Sequence, residues 1–416
     1  MDTSLDRRAF LKTTAGTLAL LLSRDGLAAA QTPSPPPAGP PVRFGVIGLG
    51  TWGREILDAL GRTDAAQVAA ICDVYEPFLK RAAASAPRAA ATSEWRRLLD
   101  SLSTDAIVIA TPTPTHRDLA IAALQAGKHV YCEAPLAATI DDARAIAGAA
   151  RAASRTVFQA GLQGRSNALF RHVLQFVKSG VLGDVAIVNA QWSHRDSWRR
   201  SAPSADRERA LNWRLDRGSP GLMGEIAIHQ LDLASEFLAA RPRAVVGNGA
   251  IAAWRDGRET PDTASCLVDF GSCCATVRTT LASSFGGAYT IFQGSNSSLL
   301  LKESRGWLIK EADSPLLGWE VYARKEAVHD EMGIAMVADA TKLLQAGKEP
   351  GKDAPTEPEK PALACAFENF ITSINTDVPP ACGAHDGLAA TIAALHANAA
   401  VAANTRVEIR QEDYDG

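Results

Sequence analysis

The sequence predicts an α/β protein in which an N-terminal doubly wound parallel sheet is followed by an α+β part with a large open, mostly antiparallel sheet. Three observations predict it. A short apolar run at residues 42–47 leads straight into a glycine-rich turn and then a helical pattern. Further apolar runs at 68–72, 106–110 and 129–132 alternate with a helical segment at 117–126. Beyond residue 264 the apolar runs at 264–270, 274–281 and 289–293 alternate with polar residues and are separated by glycines, as antiparallel strands are. At 416 residues the chain exceeds the usual single domain, so two cores are expected.

Composition narrows the class of function. The chain is 46% apolar and 21% charged with a net charge of -3, without the basic excess that a nucleic-acid partner requires. Its seven cysteines lack the paired spacing of a zinc site or a disulfide framework and read as small buried apolar residues. No metal is expected.

Ahead of the first strand, Asp6-Arg7-Arg8-Ala9-Phe10-Leu11-Lys12 precedes a weakly apolar stretch at 15–22 and a small-residue cleavage site at Ala28-Ala29-Ala30. This pattern resembles a bacterial twin-arginine signal over residues 1–30; the alternative is a basic helix start with an apolar turn behind it. The resemblance implies the twin-arginine machinery as a partner, a periplasmic location, and export in the folded state with any cofactor already held tightly. The apolar run is too short to span a bilayer, so no stable membrane insertion is expected. Residues 31–41 are proline-rich and read as a stiff extended linker.

The strand at 42–47 runs into Gly48-Leu49-Gly50-Thr51-Trp52-Gly53, and a helix follows over 54–61. In that context the glycine spacing has a specific physics: Gly48 permits the tight turn, Gly50 lets backbone approach a pyrophosphate, and Gly53 allows close helix–strand packing. The next strand ends in Asp73, placed either to accept the ribose hydroxyls of a dinucleotide or simply to cap the following turn. A carboxylate there repels a 2′-phosphate, which favours NAD; Lys80 and Arg81 nearby keep NADP as the less favoured alternative. Residues 42–160 are therefore read as a Rossmann domain.

Farther along come Thr111-Pro112-Thr113-Pro114-Thr115-His116 and Gly127-Lys128-His129-Val130-Tyr131-Cys132-Glu133-Ala134-Pro135-Leu136. Together with the glycine turn, these segments resemble the Gfo/Idh/MocA family, the oxidoreductases related to glucose-fructose oxidoreductase and inositol dehydrogenase. The resemblance implies that Thr111, Pro112 and Glu133 lie along the nicotinamide ribose. It also implies a lysine between Glu133 and Pro135 that points at the substrate hydroxyl, where this chain has Ala134. His116 lies near the same cleft and reads as a capping or packing residue as readily as a cofactor contact.

Residues 161–416 are read as a substrate and oligomerisation domain closed by helices at 362–374 and 385–403, with a surface connection near 349–361. Arg165 follows a Gly-Leu-Gln-Gly turn, and His194, Arg195, Trp213 and Arg214 belong to a tryptophan- and arginine-rich stretch. Such residues suit sugar binding by stacking and fixed donors; a solvated loop or a subunit contact fits them equally. Gly218-Ser219-Pro220-Gly221-Leu222-Met223-Gly224 then leads to Glu225 and His229, whose spacing places both on one helix face with Asp232 a further turn along. Taken alone the pair reads as a helix salt bridge. The resemblance turns it into an acid–base pair, His229 exchanging the substrate hydroxyl proton and Glu225 positioning it.

The expected function is hydride transfer between tightly bound NAD and a sugar or polyol hydroxyl in a homo-oligomer. Ala134 keeps two rivals open: an NAD-dependent glycosidase working by transient oxidation and elimination, and a sugar-binding relative without catalysis.

Overall fold

The computed structural model describes residues 39–317, 320, 323–337 and 358–414. The signal-like residues 1–30, linker residues 31–38 and residues 349–357 of the expected surface connection lie outside them.

The first sheet holds β1 (Val42–Ile47), then α1 (Thr51–Gly61) and β2 (Ala66–Cys72), then α2 (Glu76–Ser85) and β3 (Ala90–Thr92). It continues through α3 (Arg96–Asp100), β4 (Ala106–Ile109), α4 (His116–Gln125), β5 (His129–Glu133), α5 (Ile140–Ala152) and β6 (Phe158–Gly161). All six strands are parallel, in the order β3-β2-β1-β4-β5-β6. Helices cover both faces, so β4 buries all four residues and shows no alternation. The strand order reverses between β1 and β4, and the carboxyl ends of those two strands open a crevice. The edge strand β3, only Ala-Ala-Thr, has too little side chain to show a period in the sequence.

After β6 come α6 (Ala168–Lys178), β7 (Val185–Ser193), α7 (Ala205–Leu211), a π-helical turn at Met223–Ala227 and α8 (Ile228–Leu238). Strands β8 (Ala244–Ala250), β9 (Thr263–Asp269), β10 (Cys274–Thr280), β11 (Tyr289–Gly294), β12 (Ser297–Leu301), β13 (Gly306–Lys310), β14 (Lys325–Val328) and β15 (Glu331–Met336) follow. The chain closes with α9 (Ala362–Thr376), α10 (Ala384–Ala403), β16 (Arg406–Glu408) and α11 (Gln411–Tyr414). The second sheet has ten strands, ordered β14-β15-β13-β12-β11-β7-β10-β9-β8-β16, and only the β7–β10 pair is parallel. Ala264, Cys266 and Val268 of β9 face the helices, while Leu267 between them is open.

The last two long helices tie the halves together. Phe367 and Phe370 of α9 pack on Phe44 and Tyr131, with ring centroids 4.8–6.2 Å apart, and cover one face of the first sheet. The alanine-rich α10 lies against both sheets. Its Gly387 packs on Ala160 and Leu136, its Val401 fills the space left by Gly247 and Gly249 of β8, and Thr391 Oγ1 accepts the Leu136 N–H at 3.0 Å. One buried apolar cluster therefore runs from Ile109 and Leu136 through Ala394 to Val277 and Phe292.

Candidate active site

The glycine turn crosses the crevice at the end of β1. Gly48 has φ +94°, and a Cβ there would press on the Ala110 carbonyl, while a Cβ at Gly53 would strike the Gly48 carbonyl oxygen. Gly50 has nothing within 4 Å of its missing Cβ, and as N-cap of α1 it offers no side chain to the first helical turn. Open N–H groups at a helix start beside an uncluttered backbone form an anion cradle. Leu49 is fully buried, and its N–H donates to Asp73 Oδ2 at 2.8 Å; the Tyr75 N–H donates to Asp73 Oδ1 at 2.7 Å. Asp73 thus caps its own turn, with carboxylate lone pairs left over for a ribose. Thr51 is exposed, and Lys80 is held by Glu76 at 2.7 Å.

The loop after β4 and the end of β5 form the next wall. His116 is buried, with Nδ1 3.1 Å from the Pro135 carbonyl and Nε2 3.0 Å from that of Thr111. It lies between the Thr111–Pro112 loop and the turn holding Ala134, and because burial lowers its proton affinity the neutral ring donates to one of these two carbonyls. Glu133 is buried, with Oε1 unpartnered, and Gly161 on the neighbouring strand leaves room for its carboxyl. Burial pushes Glu133 up to about 7, against the pull of the Trp52 side chain and the Ala134 N–H.

Between these walls and the second sheet lies a cleft of about 440 Å³, lined by Trp52, Thr111, Thr113, His116, Glu133 and Ala134 on one side and by Arg214, Glu225 and His229 on the other. Glu225 is buried, and both of its oxygens are taken: Thr113 Oγ1 donates to Oε1 at 2.8 Å and Arg214 Nε to Oε2 at 2.8 Å. His229 is half-buried with no hydrogen-bond partner among the described residues, and burial pushes its imidazole down to about 4, so it is neutral at neutral pH. A larger hollow of about 1040 Å³, lined by His129, Arg155 and Pro380 among others, lies away from the glycine turn and these groups.

Comparison with known proteins agrees with this geometry. Residues 42–161 match the model described as an oxidoreductase family with an NAD-binding Rossmann fold, and residues 170–300 match the GFO/IDH/MocA C-terminal domain. The chain belongs to the Gfo/Idh/MocA family. Levoglucosan dehydrogenase of Pseudarthrobacter phenanthrenivorans is 30% identical over 165 residues, 39% of this chain and 40% of its own. An inositol 2-dehydrogenase/D-chiro-inositol 3-dehydrogenase of Shouchella clausii is 32% identical over 149 residues, 35% and 43% of the two chains. The chain spans about half the length of the curated relatives it matches. Among solved structures, an oxidoreductase domain protein of Kribbella flavida superposes with a TM-score of 0.71 at 21% identity, over 90% of this chain and all of that one. A levoglucosan dehydrogenase in complex with NADH and levoglucosan gives 0.70 at 18% identity, over 89% and 100%. NAD is accordingly the cofactor of this Gfo/Idh/MocA protein, and the open Gly50 cradle and Asp73 fit it.

Several expected substrate contacts lie elsewhere in this family member. Arg165 turns away from the cleft into a buried ion pair: Nη2 is 2.8 Å from Asp232 Oδ1, and Nη1 is 3.1 Å from Asp386. The desolvated Asp232 on one side and the half-buried Asp386 on the other hold it out of the cleft. That pairing also corrects the expectation for Asp232: the wider π-helical turn shifts the register, so Glu225, His229 and Leu233 face the cleft and Asp232 does not. His194 is exposed beside Trp192, and Arg195 donates to the Ala282 carbonyl and lies 5.1 Å over Trp254. Trp213 carries the Arg214 guanidinium at 4.5 Å without lining the cleft. Trp192, Trp198 and Tyr289 do line it, although only position along a tryptophan- and arginine-rich stretch hinted at the first two. Arg207 of α7, 3.9 Å above the Tyr75 ring, brings the second half of the chain against the loop after Asp73; no spacing in the sequence signals that contact.

Two outcomes are expected. Gly50→Val lowers the melting temperature of the NAD-free protein by only a few degrees, the cost of a poorer N-cap in otherwise open space, yet weakens NAD binding at least about tenfold in a fluorescence titration. His229 has a lower proton affinity folded than unfolded, so its contribution is complete above its ordinary value of 6.5 and is lost as pH falls toward 4. Denaturant midpoints measured across that window should fall less steeply in His229→Gln than in the parent.

Proposed function

We propose that this protein is an exported NAD-dependent dehydrogenase that oxidises a sugar or polyol hydroxyl, with His229 taking the hydroxyl proton. The observation that carries the reading is the neutral, unpartnered His229 imidazole in the same cleft as Glu133 and the Thr111 loop. Bound NAD would supply the hydride acceptor. The Gly48–Gly53 turn would hold its pyrophosphate, Asp73 the adenosine ribose, and Thr111, Pro112 and Glu133 the nicotinamide ribose. His229 removes the hydroxyl proton as the carbonyl forms and passes it to solvent. Glu225, immobilised by Thr113 and Arg214, fixes the loop after β4 against the turn that leads into the helix carrying His229. Trp192 and Trp198 supply apolar faces for a sugar ring.

Export by the twin-arginine route to the periplasm is supported by Arg7-Arg8-Ala9-Phe10-Leu11-Lys12 and the alanine cleavage site, and it favours a cofactor that stays bound. Among the described residues no helix is long and apolar enough to cross a membrane. Assembly into a homo-oligomer through the open face of the second sheet is supported by Ile187, Val246 and Leu267, which are exposed there.

Ala134 favours a second reading, redox-neutral cleavage by transient oxidation, since no lysine is present at that position to hold the hydroxyl. A relative 25% identical over 204 residues is the 2,7-anhydro-N-acetylneuraminate hydratase of Escherichia coli.

Small molecules released by denaturing the purified full-length protein should include NAD when read by mass spectrometry; a protein that carries none and binds none overturns the proposal. Turnover on a sugar and polyol panel should accumulate NADH, whereas sugar conversion without it selects the redox-neutral reading. His229→Ala should lower kcat about 10²- to 10⁴-fold while NAD affinity stays unchanged.

A further inference from the structure

The cleft wall beyond His229 carries two amides that the proton chemistry leaves unused. Gln230 follows His229 on α8 and is 8% exposed, and Gln163 opens the 3-10 turn at Gln163–Ser166 after β6. Both line the cleft beside Phe170 and Trp192. Gln163 Oε1 and Gln230 Oε1 are buried without a hydrogen-bond partner, and among the described residues neither amide nitrogen is bonded. Nearby Asn167 is the contrast: its Oδ1 accepts the N–H groups of Leu169 and Phe170, and its Nδ2 donates to the Glu303 carbonyl. That amide is structural, whereas the two glutamines have nothing structural to do.

An unsatisfied buried amide is costly, and two of them on one cleft wall call for an occupant that both donates and accepts. A hydroxyl does both, whichever way each amide is turned. A carboxylate or phosphate only accepts, and would leave each Oε1 facing another oxygen. The cations of the cleft do not offset this, because the Arg214 guanidinium is balanced by the Glu225 carboxylate it pairs with and Lys302 stands on the exposed rim. We propose that Gln163 and Gln230 form a hydroxyl-recognition subsite that selects a neutral polyhydroxylated ring through hydroxyls other than the one oxidised. The inference rests on the dehydrogenase reading for its substrate class, but not for the existence of the subsite.

The test uses full-length protein loaded with NAD, with myo-inositol and glucose as parents, their single-deoxy analogues, and glucuronate. The parent protein should favour a neutral ring over glucuronate and over at least one deoxy analogue. Gln163→Met and Gln230→Met, close in size but without the amide, should each lose about 10- to 100-fold in kcat/KM on the parent ring, mainly through KM. They should lose little on the deoxy analogue that lacks the partnered hydroxyl, and their NAD affinity should not change. Equal losses on ring and analogue, no loss at all, or a preference for glucuronate overturns the subsite. If the parent protein turns over no ring, the dehydrogenase reading fails by itself, and the subsite is then read by quenching of Trp192 and Trp198 fluorescence. Ring binding that weakens at least tenfold in the methionine variants retains it, and absent or unchanged binding overturns it.

Discussion

The site depends on the fixation of one carboxylate. Glu225 receives Thr113 Oγ1 from the loop after β4 and Arg214 Nε from the segment after α7, so two loops from opposite halves of the chain meet on one buried side chain. Charge-assisted hydrogen bonds away from water are strong and directional. This one sets the distance between the cofactor loop and the helix that carries His229. It also keeps Arg214 beside Trp213 and Trp198, its guanidinium 4.5 and 5.7 Å from their rings.

Behind that clamp a second buried network sets the direction of α8. Arg165 bridges Asp232 of α8 and Asp386 of α10, and the nearby Glu236 is pushed up to about 7 by burial. Removing Arg165 leaves the buried Asp232 without its counter-charge, so the bridge couples the placing of α8 to that of α10. The π-helical turn at Met223–Ala227 belongs to the same arrangement: its extra residue per turn lets Glu225 reach the clamp while Asp232 reaches Arg165. Between these two committed carboxylates His229 is left without a hydrogen-bond partner among the described residues.

Ala134 gains its meaning in this setting. Where the family motif carries a lysine, the cleft has a methyl group beside Glu133, and the Arg214 guanidinium across the cleft is balanced by Glu225. On the side of the second half the cleft is lined by Arg214, His229, Gln163 and Gln230.

Much of this was legible in the order of residues. The Gly48–Gly53 turn, Asp73, the Thr111–Pro112 loop, Glu133 and the Glu225–His229 spacing all lie within short segments whose backbone geometry is set locally, by strand ends, tight turns and helix starts. Their positions at strand ends, turns and helix starts could therefore be expected before any contact was known. What the sequence could not settle was which side chains share a partner over long separations. Thr113 and Glu225 are 112 residues apart, Arg165 and Asp232 are 67 apart, and α10 reaches Leu136 from 255 residues away. Arg165 carries the same charge and flexibility as Arg214, yet one is held between Asp232 and Asp386 away from the cleft and the other, paired with Glu225, lines it. Composition and periodicity do not encode that difference, because it arises from which neighbours the folded core desolvates.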